Sequence, residues 1–268
     1  MKKFALAYWL FTILPALAFG QNIYDFDHSL KFADHLISSR DYEKAVKEYE
    51  RLLFFSPGTD SIIFLLSKSY FLSGKYDKTI ALLDSTGKGK DHNSSRLYLD
   101  ALLLSDKFEN AISFSQTCKN LLEDEKKSIY PRTLILSGNI KKIKKENPED
   151  KITNQREKLV FEKAIEFKQK IPAIALGLSV IPGLGKVYSK NYSDAAMSFL
   201  AVSLCSFLAW RGFDKKGIYS APGWFYGGLG AGLYFGNFYG AIKAAKNHNK
   251  WFREKIKAEM HEIIVSEN

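Results

Sequence analysis

Residues 182–186 read Pro-Gly-Leu-Gly-Lys, a glycine-lysine run of the kind that can cradle a phosphate. A nucleotide loop needs Gly, four residues, then Gly-Lys-Ser/Thr, because backbone N–H groups wrap the phosphates and the hydroxyl holds Mg²⁺. Val180 stands where the first glycine is required and Val187 where the hydroxyl is required, so that chemistry is excluded twice. A second run, Gly228-Leu-Gly230-Ala-Gly232, misses the dinucleotide spacing at Leu233. The histidines are His28, His35, His92, His248 and His261. His28 and His35 share a helix face seven residues apart, too far to hold a metal without a third ligand. No His-Glu-x-x-His, Cys-x-x-Cys or Gly-x-Ser-x-Gly pattern occurs. Asp25 and Asp27 sit at a helix start, where carboxylates favour the positive dipole end. The sequence thus points to no catalytic residue, no metal ligand and no cofactor, and the protein is expected not to be an enzyme.

The elements around these residues fall into contrasting halves. The chain has 268 residues, is 46% hydrophobic and carries a formal net charge of +10. Charge is dense from about residue 105 to 170, whereas Ala195 to Trp210 contains none. A basic balance attracts anionic lipid or nucleic acid. The lysines flank apolar segments and no aromatic-basic nucleic-acid motif occurs, so lipid is the expected partner. The only cysteines, Cys118 and Cys205, lie in segments of different character, which argues against a structural disulfide. Residues 1–20 have two lysines, an apolar core and small residues, the layout of a secretory signal peptide. Ala18 and Gly20 suit cleavage before Gln21, Ala16 and Ala18 offer a second choice, and an uncleaved anchor is the alternative.

From Phe32 to Pro57 apolar residues recur at helical spacing in two runs broken near Ser39–Asp41. The phrases SRDYEKAVKEY, SGKYDKTIALL and SDKFENAISFS align without gaps, about 34 and then 32 residues apart. Tyr42, Ala45, Tyr49, Leu52 and Pro57, with Phe32, Ala33 and Leu36 before them, resemble a tetratricopeptide repeat. Two further units follow, without the closing proline and with Thr79 in place of an alanine. The resemblance covers roughly residues 25 to 120 and implies antiparallel helix pairs that stack because one pair cannot bury its own apolar face. It also implies a concave groove for a protein partner, lined by first-helix residues Asp27, Asp34, Phe64, Lys68, Phe71, Arg96 and Asp100. Phe64 and Phe71 are expected to be exposed there. Residues 126–170 read as a charged helical connector or cap, with a turn at Asn147–Pro148 and an amphipathic helix after it.

Three apolar stretches follow. Ile171–Leu184 is short, Ala195–Trp210 is uncharged for sixteen residues, and Ala221–Ile242 for twenty-two. At 1.5 Å per residue the last two reach about 24 and 33 Å, against a hydrocarbon core of ~30 Å. Trp210, Tyr219, Trp224, Tyr226 and Tyr239 lie near their ends, where interfacial aromatics belong. Gly228, Gly232, Gly236 and Gly240 repeat every four residues, and Ala201, Cys205 and Ala209 do the same. The spacing predicts that these two rows pack against each other in lipid. Pro182, Gly183, Gly185 and Tyr188, with Asn191 and Tyr192 in the polar turn after them, resemble a small bacterial membrane domain with the signature Pro-Gly-x-Gly-x-x-Tyr.

The expected fold is all-α: leader 1–20, repeats 21–125, connector 126–170, membrane domain 171–245 and basic helical tail 246–268. The expected role is a membrane-anchored scaffold or adaptor of the bacterial cell envelope, in the inner membrane with its repeats facing the periplasm. The alternative is an accessory subunit of an insertion, secretion or transport system acting through the apolar domain. Partners are protein, within an envelope complex, and membrane lipid, with no nucleic acid; a homo-oligomer through the glycine face is a further expectation. Two crossings leave six basic residues between Lys243 and Lys257 outside, against three in Arg211–Gly217 inside. A third crossing by Ile171–Leu184 would satisfy the positive-inside trend. Two crossings with an interfacial lead-in is the preferred arrangement.

Overall fold

The computed structural model describes residues 25–86 and 90–268, and every regular element in them is helical. The leader at 1–20 lies outside the described residues. The chain divides into two compact units at Lys126/Lys127, within the helix Glu123–Leu136.

The first unit contains α1 (Phe26–Ser38), α2 (Tyr42–Phe55), α3 (Asp60–Leu72), α4 (Tyr76–Thr86), α5 (His92–Leu104) and α6 (Phe108–Thr117). Asp25, Asp41 and Asp91 cap α1, α2 and α5 by accepting from backbone N–H groups three residues on. Ala33 and Ala45 are wholly buried between α1 and α2, so their small side chains let the helices approach. Tyr49 fills the space beside them, its hydroxyl donating to Asp34 Oδ1 at 2.6 Å. Burial, and then that carboxylate, push the Tyr49 phenol well above its ordinary range, so it stays protonated as a donor. Ile62, Leu66 and Tyr70 of α3 complete the same core, which is why one hairpin needs the next. Thr79 is buried and its hydroxyl donates to the Ser67 carbonyl at 3.2 Å. The departure from alanine is therefore satisfied by a hydrogen bond across the second helix pair.

Each helix pair turns through the same device. Arg40, Gly74 and Asp106 adopt positive φ, and each turn closes with two backbone bonds onto the preceding helix, such as Arg40 N to Ile37 O and Asp41 N to Leu36 O. The device continues beyond the three units read from the sequence. In the second unit α7 (Glu123–Leu136) and α8 (Ile140–Glu146) turn at Ser137-Gly138-Asn139, with Gly138 at φ +68° and the same two bonds. Much of what was expected to be a connector is a further hairpin.

The second unit continues with α9 (Gln155–Glu166), α10 (Pro172–Leu178), α11 (Leu184–Tyr188), α12 (Tyr192–Lys216) and α13 (Ala221–Ser266). At 1.5 Å per residue, α13 with its 46 residues is about 69 Å long. Residues 246–266 are its second half rather than a separate tail. That half lies along α9 and is fastened by Lys163 to Glu259 at 2.7 Å and by Asn154 to Glu267 at 2.6 Å. Arg132 of α7 reaches both Glu267 at 3.0 Å and the wholly buried Glu157 at 2.9 Å. With 7 and 5 residues, α10 and α11 are about 10 and 8 Å long, each too short to cross a ~30 Å core.

Candidate functional site

The groove residues of the repeat unit differ sharply in availability. Asp27 and Asp34 are exposed, and Phe64, Lys68 and Arg96 are half-buried. Phe71 is 0% exposed and packs edge-on to Tyr76, with ring centroids 5.3 Å apart. Asp100 is also 0% exposed, and Arg96 lies within 3.9 Å of it and 3.8 Å of Glu125. The expectation of two exposed phenylalanines is thus corrected: Phe71 belongs to the core, Phe64 is partly covered, and Asp100 is turned inward. The resemblance assigned Phe71 by position to a surface that here is covered, with Tyr76 of the next helix against its ring.

The exposed aromatics lie elsewhere. Phe54 is 80% and Phe55 67% exposed at the end of α2. Beside them a hollow of about 570 Å³ opens between α2 and α4, floored by Leu53, Leu66, Tyr70 and Leu82, with Glu50 and Lys78 at its rim. Tyr70 donates to Glu50, and Lys78 lies 5.3 Å from the Tyr70 ring. Second helices α2 and α4 form its walls over Leu66 and Tyr70 of α3, so the first-helix rule missed it. The adjacent Phe54-Phe55, off the apolar stripe, is the sequence signal that could have found it.

The Pro-Gly-Leu-Gly segment is a packing knot on α13. Gly183 has φ +87°, and a Cβ there would stand 2.4 Å from the Ala195 carbonyl. A Cβ on Gly185 would stand 2.1 Å from the Ala175 carbonyl and 2.8 Å from Ala241 Cβ. Asn237, buried in α13, accepts from Gly183 N and donates to the Ser179 carbonyl, both at 3.2 Å. Half-buried Pro182 precedes the turn, and Tyr188 closes the segment, its hydroxyl accepting from Ile171 N at 3.1 Å. Lys186 reaches across Gly240 to donate to Ser198 Oγ at 2.6 Å. The backbone N–H groups of this segment are thus engaged by the protein itself, as a phosphate cradle's would not be. The next turn, Ser189-Lys190-Asn191, repeats the repeat-unit device, with Lys190 at φ +61°.

The expected glycine face requires a correction. A Cβ built on Gly228, Gly232 or Gly236 would meet no atom within 4 Å beyond its own stretch of helix, and at Gly240 it meets only Lys186. The glycines of α13 that meet α12 are Gly223, Gly227 and Gly230. A Cβ at Gly230 would lie 3.2 Å from Cys205 Cβ, at Gly227 3.9 Å from Ala209 Cβ, and at Gly223 2.8 Å from the Phe213 ring. Cys205 and Ala209 are buried in the seam and Ala201 is half-buried beside it. The physical reason is periodicity. A strict four-residue row drifts about 40° per step around a 3.6-residue helix, whereas alternating steps of four and three keep one face toward a neighbour. Gly223, Gly227, Gly230, Tyr234, Asn237 and Ala241 follow that alternation, as do Ala195, Ser198, Val202, Cys205, Ala209 and Gly212.

Away from that seam the hairpin is bare. Phe199, Leu200, Leu204, Phe207 and Trp210 of α12 are exposed, as are Trp224, Phe225, Leu229, Phe235 and Tyr239 of α13. Among the described residues one helical stretch, Tyr192–Tyr219, is long and apolar enough to cross a membrane, with mean hydropathy 1.4 and 17% buried. Cys118 and Cys205 are free thiols. No group of three or more His, Cys, Asp or Glu among the described residues could hold a metal ion.

Residues 38–118 match the family model described as anaphase-promoting complex, cyclosome, subunit 3. With the stacked helix pairs already described, that match bears on the class of the first unit. It supports a tetratricopeptide-type reading of the repeats. Such arrays generally mediate protein–protein interaction and are typically non-catalytic. No curated protein and no solved structure matches the chain.

Proposed function

We propose that this protein is a membrane-anchored interaction module of the bacterial cell envelope, whose repeats bind a protein partner while α12 and α13 hold it in the inner membrane. One observation supports this above others. Both helices present phenylalanine, leucine and tryptophan outward along two uncharged stretches, while their small and polar residues, Cys205, Gly230 and Asn237, face inward. In water that arrangement exposes a large continuous apolar patch; in lipid it is the stable one. Trp210 and Trp224 near the hairpin tip, and Tyr192 and Tyr239 near its other end, fit the two interfaces about 22–27 Å apart along the helices. In this reading α12 and α13 cross and α10 and α11 rest at the interface. The domain divisions are the leader, the repeats, the hairpin-containing connector, the membrane domain from 171 to 245, and the continuation of α13. The leader reading directs the repeats to the periplasm.

Within the repeats, Asp27, Asp34, Phe64, Lys68 and Arg96 remain candidate partner contacts, joined by Phe54 and Phe55. A pull-down from detergent, with the full chain and with residues 171–245 deleted, tests the division of labour. Recovery of the same partner by both is expected. Loss of the partner on deletion would favour the alternative role, an accessory subunit of an insertion, secretion or transport system acting through the apolar domain. The outward row Gly228, Gly232 and Gly236 also supports self-association, because bare glycine backbone allows close helix approach in lipid.

A further inference from the structure

We infer that the end of the α12–α13 hairpin opposite its tip binds the phosphate headgroups of anionic phospholipids through Lys170, Lys190 and Lys246, which rests on the membrane reading above. The site is built by convergence of three segments. The Lys170 backbone is fixed to α13 by a reciprocal pair of bonds with Asn249, N to Oδ1 and Nδ2 to O, both 2.8 Å. Its ammonium lies 4.6 Å from the centre of the Tyr188 ring. Lys190 follows Tyr188 by two residues and is held at positive φ in the turn before α12. Lys246 is exposed on α13, beyond its uncharged stretch.

These cations lack a counter-charge of their own. Among the described residues no carboxylate lies within ion-pair distance of Lys170, Lys190 or Lys246, whereas Lys163, farther along, pairs with Glu259 at 2.7 Å. Asp194, the acidic residue nearest to Lys190 in sequence, is engaged by Asn191 Nδ2 at 2.7 Å. His248 registers the field: burial, and then Lys170 and Lys190, lower its pKa. Uncompensated lysines where an apolar surface ends, with Tyr192 and Ile171 exposed alongside, match the chemistry of an anionic headgroup layer. The same layer accounts for basic residues that the positive-inside trend alone would keep in the cytoplasm.

The test uses the full chain reconstituted in phosphatidylcholine vesicles carrying trace spin-labelled phosphatidylglycerol or spin-labelled phosphatidylcholine. Electron spin resonance of the motionally restricted fraction gives their relative association. Preference for phosphatidylglycerol of about threefold or more is expected, falling to near one in the Lys170→Gln/Lys190→Gln/Lys246→Gln variant. It should be unchanged in Lys215→Gln/Lys216→Gln at the hairpin tip, and by inorganic phosphate at matched ionic strength. Flotation after alkaline carbonate is measured on each sample. Flotation without a preference, or a preference that survives the triple variant, overturns the headgroup site alone. Failure of the native chain to float overturns the membrane reading, and this site with it.

Discussion

Gly185→Val should detach the lead-in segment from α13 and destabilise the second unit by about 3 kcal/mol or more. The usual cost of overpacking a tight core is ~1–3 kcal/mol, because neighbours yield by moving side chains. Here the obstacle is backbone: a Cβ at residue 185 would stand 2.1 Å from the Ala175 carbonyl, itself part of α10. Relief requires moving α10, and that movement strains the Asn237 bonds to Gly183 and Ser179. Gly177→Val is the internal control, since a Cβ there meets nothing within 4 Å and the position is exposed. Titrating the reconstituted full chain from mild detergent into dodecyl sulfate, followed by circular dichroism, reads both. Equal stability of the two variants would remove the knot described for residues 179–188.

Gly230→Leu and Gly232→Leu should have opposite consequences although they lie two residues apart. The first drives a leucine into Cys205, 3.2 Å from where its Cβ would sit, and should separate α12 from α13 at a cost of several kcal/mol. The second points away from α12. It should leave the hairpin within about 0.5 kcal/mol, or stabilise it by up to ~1 kcal/mol, since glycine is the poorer helix former. If a second copy packs on the outward row, Gly232→Leu should instead abolish crosslinked dimer in vesicles while the hairpin stays intact. A hairpin broken by Gly232→Leu and unaffected by Gly230→Leu would reverse the register of α12 against α13.

The contrast shows what the residues disclosed and why they disclosed no more. The repeat phrases carried their own boundaries, because small residues, an aromatic and a turn recur at fixed spacing; α3 begins 34 residues after α1, and α5 32 after α3. The fourth hairpin carries the same serine-led, positive-φ turn at Ser137–Asn139, but Ile140 stands where the earlier second helices begin with Tyr42, Tyr76 or Phe108. The glycine row was visible, but a helix shows sequence every face at once, and only the neighbour selects one. Regular four-residue spacing proved less informative than the irregular 223, 227, 230, 234, 237 series, because a packed seam must alternate. Phe71 was misassigned for a different reason: the resemblance places groove residues by position alone, whereas here Phe71 is covered and packs on Tyr76 of the next helix. The apolar stretches themselves were legible, since a long uncharged run is a property of composition alone.

The central claim is that the α12–α13 hairpin lies across a bilayer with its tip on one face and the far half of α13 on the other. It is tested by cysteine labelling. In a chain whose Cys118 and Cys205 are replaced by alanine, single cysteines at Tyr219 and Ser266 are treated with a membrane-impermeant maleimide in intact and then in opened spheroplasts. The account predicts that one of the two sites reacts in intact spheroplasts and the other only after opening. Reaction of both from the same side would contradict it.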